Sequence, residues 1–90
     1  MKKVRVTITG RVQGVWFRSS TYDKALDLGV TGYVRNLING DVEIVAEGED
    51  SKVDALVHWA RVGPPLAYVD DVDVEILEYD DEFTIFGIRY

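Results

Sequence analysis

Few residues in this chain have the types and spacing for chemistry. They sit early, in Gly10-Arg11-Val12-Gln13-Gly14-Val15-Trp16-Phe17-Arg18. Two glycines flank Arg11-Val12-Gln13, and Arg18 stands where a helix is about to begin. A loop that feeds a helix N-terminus presents successive backbone N–H groups that the helix itself cannot satisfy, and these make a concavity for an anion. Gly14 gives the backbone freedom to turn sharply there. Arg18 would add a planar, permanently charged fork able to hold two phosphate oxygens at once. From the residues alone, an anion site and a plain connecting loop stand level, because glycine-rich turns before helices are common.

Other chemistries lack parts. With no cysteine in the chain, thiolate zinc sites, iron–sulfur clusters, disulfides and cysteine nucleophiles are excluded. His58 is the only histidine, has no carboxylates at metal-ligand spacing, and reads as an ordinary helix residue. Ser19 and Ser20 carry no signature of an activating base, so their expected role is helix capping. Neither Gly-x-x-x-x-Gly-Lys-Ser/Thr nor Gly-x-Gly-x-x-Gly occurs, which disfavours a nucleoside triphosphate or a dinucleotide.

The elements that must position this loop follow from periodicity. Val4, Val6 and Ile8 alternate with polar residues as a half-buried strand ended by Gly10. A helix is expected from near Ser19 or Ser20, with Ser20 and Asp23 at capping-box spacing, Tyr22, Ala25, Leu26 and Gly29 on one face, and Gly29 as C-terminal cap. Val30 to Asn36 and Asp41 to Glu47 read as antiparallel strands, with Asn39-Gly40 suited to a tight turn of positive φ at both central residues. Ser51 and Asp54 repeat the capping spacing before Val53, Leu56, Val57 and Ala60, with Trp59 and Val62 as possible extensions of the buried face and Gly63-Pro64-Pro65 closing that helix. Val72, Val74 and Ile76 form a strand with an acidic solvent face. The tail Phe83 to Tyr90 changes phase, which suggests a bulge or twist near Gly87. The result is an α+β, ferredoxin-like βαββαβ sandwich: an antiparallel sheet with two helices on one face, ending in a short final strand.

Ninety residues, 47% hydrophobic and 29% charged, describe one globular domain over 1–90 whose thin core leaves substrate a surface cleft rather than a deep cavity. No stretch approaches the ~18 apolar residues of a membrane span, and Met1-Lys2-Lys3 is not followed by the apolar run of a signal peptide; a cytoplasmic protein is expected, with no membrane partner. The net charge of −6 argues against non-specific nucleic-acid binding. It is unevenly spread: residues 1–40 carry seven bases and two acids, residues 41–90 three bases and fourteen acids. Solvated surface accounts for most of these charges, but the basic first half also suits a site for a small anion.

At these residues the chain resembles the acylphosphatase family, small ferredoxin-like enzymes that hydrolyse acyl phosphates to a carboxylate and inorganic phosphate. Gly10 to Arg18 looks like the family's signature loop, and Leu28-Gly29-Val30-Thr31-Gly32-Tyr33-Val34-Arg35-Asn36 like its second signature. Trp59, Gly63-Pro64-Pro65 and the ending Phe86-Gly87-Ile88-Arg89-Tyr90 are also family-like. The resemblance implies that the backbone of Gln13, Gly14, Val15, Trp16, Phe17 and Arg18 cradles the phosphate, that the Arg18 side chain binds it, and that Asn36 positions the attacking water. It implies no metal and no cofactor. The expected partner is a small acyl phosphate and the expected state a monomer, free-standing rather than a domain of a larger carbamoyl-transfer protein. Leu37 stands where some members have threonine, and Asp41 follows Asn39-Gly40 where a hydroxyl residue is frequent; Asp41 would put a negative charge near the turn.

Two alternatives come from other classes. An RNA-binding module of this architecture stacks bases on aromatics of its central strands. Here Val4-Arg5-Val6-Thr7-Ile8 and Asp41-Val42-Glu43-Ile44-Val45-Ala46-Glu47 hold no aromatic residue. A non-catalytic domain that keeps the anion loop for an effector is the other.

Overall fold

The computed structural model describes all of residues 1–90. Its elements run β1 (Lys2–Arg11), α1 (Phe17–Leu28), β2 (Thr31–Asn36), β3 (Val42–Gly48), α2 (Asp50–Ala60), β4 (Tyr68–Leu77) and β5 (Phe86–Arg89). The sheet order is β4-β1-β3-β2-β5, antiparallel across the first four strands, and β5 joins the β2 edge in parallel. This is the expected α+β ferredoxin-like sandwich, with a mixed rather than wholly antiparallel sheet. No helix is long and apolar enough to cross a membrane.

Register follows from the alternation. Val4, Val6 and Ile8 lie opposite Ala46, Ile44 and Val42 of β3, and all six are buried together. The helices cover this face: α1 packs on β2, β5 and α2, and α2 on β1 and β3. Val34, Val53, Leu56 and Phe86 complete the core around Phe17. β1 does not stop at Gly10. It continues to Arg11 through a bulge against β4 between Thr9 and Gly10.

The helix starts differ most from expectation. α1 begins at Phe17, preceded by Trp16 with no side-chain cap, so the Ser20/Asp23 capping box does not form. The Ser19 hydroxyl instead donates to the Trp16 carbonyl at 3.2 Å. The buried face is Phe17, Thr21 and Ala25, spaced four apart, and Leu26 is exposed. The driving force is Phe17, which is fully buried and meets Trp59 at 5.7 Å between ring centroids. Its burial contributes about 2–3 kcal/mol, more than a serine cap offers. α2 likewise starts after Glu49 without a Ser51 cap, and Val62 is exposed beyond its end. Gly29 caps α1 as expected, its N–H donating to the Ala25 carbonyl at 2.9 Å.

The structure departs from expectation at two further points. Only Gly40, not Asn39, has positive φ in the β2–β3 hairpin. Gly40 N–H donates to Leu37 O at 3.2 Å and Leu37 N–H to Asp41 O at 2.8 Å, so the loop is a longer turn with a glycine bulge instead of the two-residue form. No bulge occurs at Gly87; β5 keeps an unbroken register with β2 from Gly32↔Phe86 to Arg35↔Arg89. The phase change arises because Phe83 packs on the open face against Tyr33, while Phe86 enters the core beneath the helices.

Candidate active site

The loop after β1 ends in a residue of unusual conformation. Trp16 has φ 67°, ψ 19°, the left-handed region that a bulky side chain adopts only at a cost. Gly14 also has positive φ, at 73°. Together these turns bring the chain into α1 with no polar side chain over the helix end. The first backbone N–H of α1 to find a carbonyl is that of Ser20, which donates to Trp16 O at 3.0 Å. The N–H groups from Gly14 through Ser19 have no acceptor within the protein. Such a run of unpaired donors, at the positive end of a helix, is an anion cradle.

Beside it lies a cleft of about 360 Å³, lined by Gly14, Trp16, Phe17, Arg18 and Ser19 from the loop and helix start, by Asn36 from β2, and by Val12, Ile88 and Tyr90. Arg18 pairs with no carboxylate. Its guanidinium lies 4.7 Å from the Tyr90 ring centroid and makes only a long 3.5 Å contact with the Arg89 carbonyl. A charge held by an aromatic face and a carbonyl stays available for an anionic oxygen. Asn36 is the last residue of β2, in phase with buried Val34, and so faces the helix side of the sheet. Its Oδ1 is buried and receives no hydrogen bond. An acceptor left so costs ~1–3 kcal/mol unless a donor reaches it.

Arg18 and Asn36, far apart in sequence, therefore line one cleft with Gly14, Trp16 and Phe17. Gln13 and Val15 do not line it. The Gln13 side chain instead donates from Nε2 to the carbonyls of Leu37 and Asp41, both at 2.8 Å, which ties the loop to the turn that follows Asn36. Val15 is half-buried against the core. Phe17 contributes backbone, since its ring is in the core. The Asp41 carboxylate turns to Asn39, accepting from Nδ2 at 3.2 Å, and does not line the cleft. Sequence reasoning missed Val12, Ile88 and Tyr90. Of these, Ile88 and Tyr90 fall in the family-like ending, but their place in the cleft depends on the parallel pairing of β5 with β2. His58 is exposed on α2, and no group of three or more potential metal ligands exists.

Known proteins resemble this chain over nearly its whole length. The family model for acylphosphatases matches residues 4–88. A protein of Methylococcus capsulatus named acylphosphatase is 54% identical over 88 residues, covering 98% of this chain and 96% of its own. The crystal structure of acylphosphatase from Bacillus subtilis superposes with a TM-score of 0.95 at 33% identity and covers all of both chains. An acylphosphatase structure from Coxiella burnetii gives 0.92 at 42% identity, over 98% of this chain and 92% of that one.

Proposed function

The chain belongs to the acylphosphatase family, and from that premise we propose how its cleft hydrolyses the carboxyl–phosphate anhydride bond of an acyl phosphate. The backbone from Gly14 to Arg18 and the α1 N-terminus hold the phosphoryl oxygens, and the Arg18 guanidinium bridges two of them. Asn36 accepts one hydrogen bond from a water molecule and fixes its direction toward phosphorus, opposite the acyl oxygen. The water oxygen forms the new P–O bond as the bond from phosphorus to the acyl oxygen breaks, and the electron pair leaves on the carboxylate. The water's protons pass to the phosphate product and to solvent.

Asparagine is no general base, yet orientation suffices for an activated substrate. The leaving carboxylate has a conjugate acid of pKa about 4–5, by analogy with carboxyl side chains, and departs at neutral pH without a proton donor. What remains is positioning and stabilisation of negative charge on the transferring group. The observation that carries this reading is the convergence, in one cleft, of unpaired N–H groups at the α1 start with an Arg18 that has no carboxylate partner.

The test is phosphate release from acetyl phosphate, with an ordinary phosphate monoester as control and with excess chelator in a parallel arm. We expect turnover of the acyl phosphate alone, with less than a twofold loss in chelator. Hydrolysis of the monoester alone would overturn the reading, and a large loss in chelator would expose a metal requirement.

A further inference from the structure

Trp16 is 72% exposed and yet lines the cleft. A tryptophan is rarely left in water, and rarer still in the left-handed region, where the conformational cost is roughly 1–3 kcal/mol. Nothing inside the protein repays this: Trp16 has no aromatic partner and its indole N–H donates to no group. Tyr90 is similar, 96% exposed, with a face engaged only by Arg18. Ile88 lines the same cleft with apolar surface, next to the fully buried Val12. An anion cradle has no use for such a wall. A lone phosphate also needs far less room than this cleft offers, whose volume lies within the ~300–1,000 Å³ of pockets that take small organic ligands.

We infer that Trp16, with Ile88 and Tyr90, forms a subsite for the acyl group and biases the enzyme toward flat aromatic acyl phosphates over small ones. This rests on the proposed function: with the phosphoryl oxygens at the α1 start, the acyl oxygen points away from the backbone and the acyl group lies along the cleft walls. An aromatic acyl group reaches the rings and covers apolar surface that water otherwise wets. An acetyl group is too short to cover much of either ring. Trp16 would then be a specificity-determining residue at the cradle itself, its left-handed backbone turning the chain while its indole is offered to the substrate.

The experiment compares kcat/KM for benzoyl and acetyl phosphate in the wild type, Trp16→Ala and Trp16→Phe. The readout is the benzoyl-to-acetyl ratio, which cancels any common loss from a disturbed cradle. We expect the ratio to fall roughly fivefold to tenfold in Trp16→Ala, the size of one aromatic contact, and to recover in Trp16→Phe. An unchanged ratio in Trp16→Ala overturns the subsite, including when both substrates suffer equally. Competition in the wild type needs no variant: benzylphosphonate should inhibit at least fivefold more tightly than methylphosphonate, and equal inhibition overturns the inference. A wild type that hydrolyses neither acyl phosphate removes the proposed function itself, and the subsite with it; hydrolysis of both with an insensitive ratio removes the subsite alone.

Discussion

The open face of the sheet and the cleft at the start of α1 use the same kinds of residue to opposite ends. On the open face the charges are consumed. Lys3, nearly buried, donates to Asp80 at 2.8 Å and to Glu82 at 2.6 Å, and this pairing holds its ammonium well above the usual lysine range. Glu43 accepts from Tyr33 Oη at 2.9 Å and from Arg35 Nε at 2.7 Å, with Arg5 at 3.6 Å. Glu47 accepts the Phe83 N–H through Oε1 at 2.7 Å, while its buried Oε2 has no donor. In the cleft, by contrast, Arg18 has no carboxylate, the N–H groups from Gly14 to Ser19 have no acceptor, and Asn36 Oδ1 has no donor. A matched network is a fastener; unmatched groups that converge on one space are prepared for something that arrives. The basic surplus of residues 1–40 is mostly consumed in the same way, since Lys3, Arg5 and Arg35 pair on the open face and Lys2 pairs with Asp54 of α2 on the other, all with carboxylates of the second half.

The comparison breaks most visibly if Arg18 behaves like an arginine of the open face. Arg18→Lys replaces a planar fork by a point charge, and we expect kcat/KM for acyl phosphate to fall about 10³-fold, with KM and kcat both affected and weaker competition by inorganic phosphate. Thermal stability should change little, because Arg18 pairs with no carboxylate and its contacts with Tyr90 and the Arg89 carbonyl are exposed and long. A loss of stability with near-normal kinetics would put Arg18 on the wrong side of the contrast.

Next is Asn36. Asn36→Ala should lower kcat about 10²-fold while phosphate still competes as in the wild type, since the cradle is intact and only the direction of the water is lost. Full turnover in this variant would remove the water-positioning role.

Glu43 is the reverse case. Burial alone would raise its pKa, but the Arg35 guanidinium and the Tyr33 hydroxyl, with the Arg35 and Arg5 charges, outweigh burial and hold it below the usual carboxylate range. The folded carboxyl thus titrates below the unfolded one. Its contribution is complete above the ordinary value near 4.3 and is lost as pH falls through the lowered folded value. We expect Glu43→Gln to cost about 2 kcal/mol at pH 7, moderated because Arg5 and Arg35 are half-exposed and can rehydrate. The difference from the wild type should shrink in acid, and activity should stay within twofold. Equal melting temperatures at pH 7 would show that the network fastens nothing.

How far each region was legible follows from the same contrast. The β pattern of Val4, Val6 and Ile8 is local, and the register it implies against Val42, Ile44 and Ala46 is what the sheet adopts. The start of α1 was misplaced because a serine cap is a local signal, whereas Phe17 is drawn into the core by Trp59, a contact forty-two positions away. The displacement matters to function: with α1 starting at Phe17 and no side-chain cap over its first turn, the N–H groups there are left facing the cleft. Arg18 was visible as a charge at a helix start. Asn36 was not visible from chemistry at all, since an asparagine ending a strand before a turn is ordinary, and only the family-like motif around it drew notice. Tyr90 was beyond reach because its place depends on the parallel pairing of β5 with β2, which no local pattern specifies.

The smallest effect is expected at Asp41, the position whose charge seemed most at odds with an anion site. Its backbone carbonyl does the structural work, accepting from Gln13 Nε2 and from the Leu37 N–H, each at 2.8 Å. Its N–H donates to Asn39 Oδ1 at 3.0 Å, and its carboxylate is occupied with Asn39 Nδ2 at 3.2 Å. None of the backbone bonds needs a carboxylate. A charge outside the cleft is also screened, the Debye length being about 8 Å at physiological salt. Asp41→Ser should therefore raise kcat/KM by less than about threefold, and that gain should vanish as salt is added. Gln13→Ala should do more harm, because it cuts both ties between the loop and the turn that follows Asn36. If Asp41→Ser changed turnover more than Gln13→Ala did, the charge at this turn, rather than the brace beneath it, would be what sets the cleft.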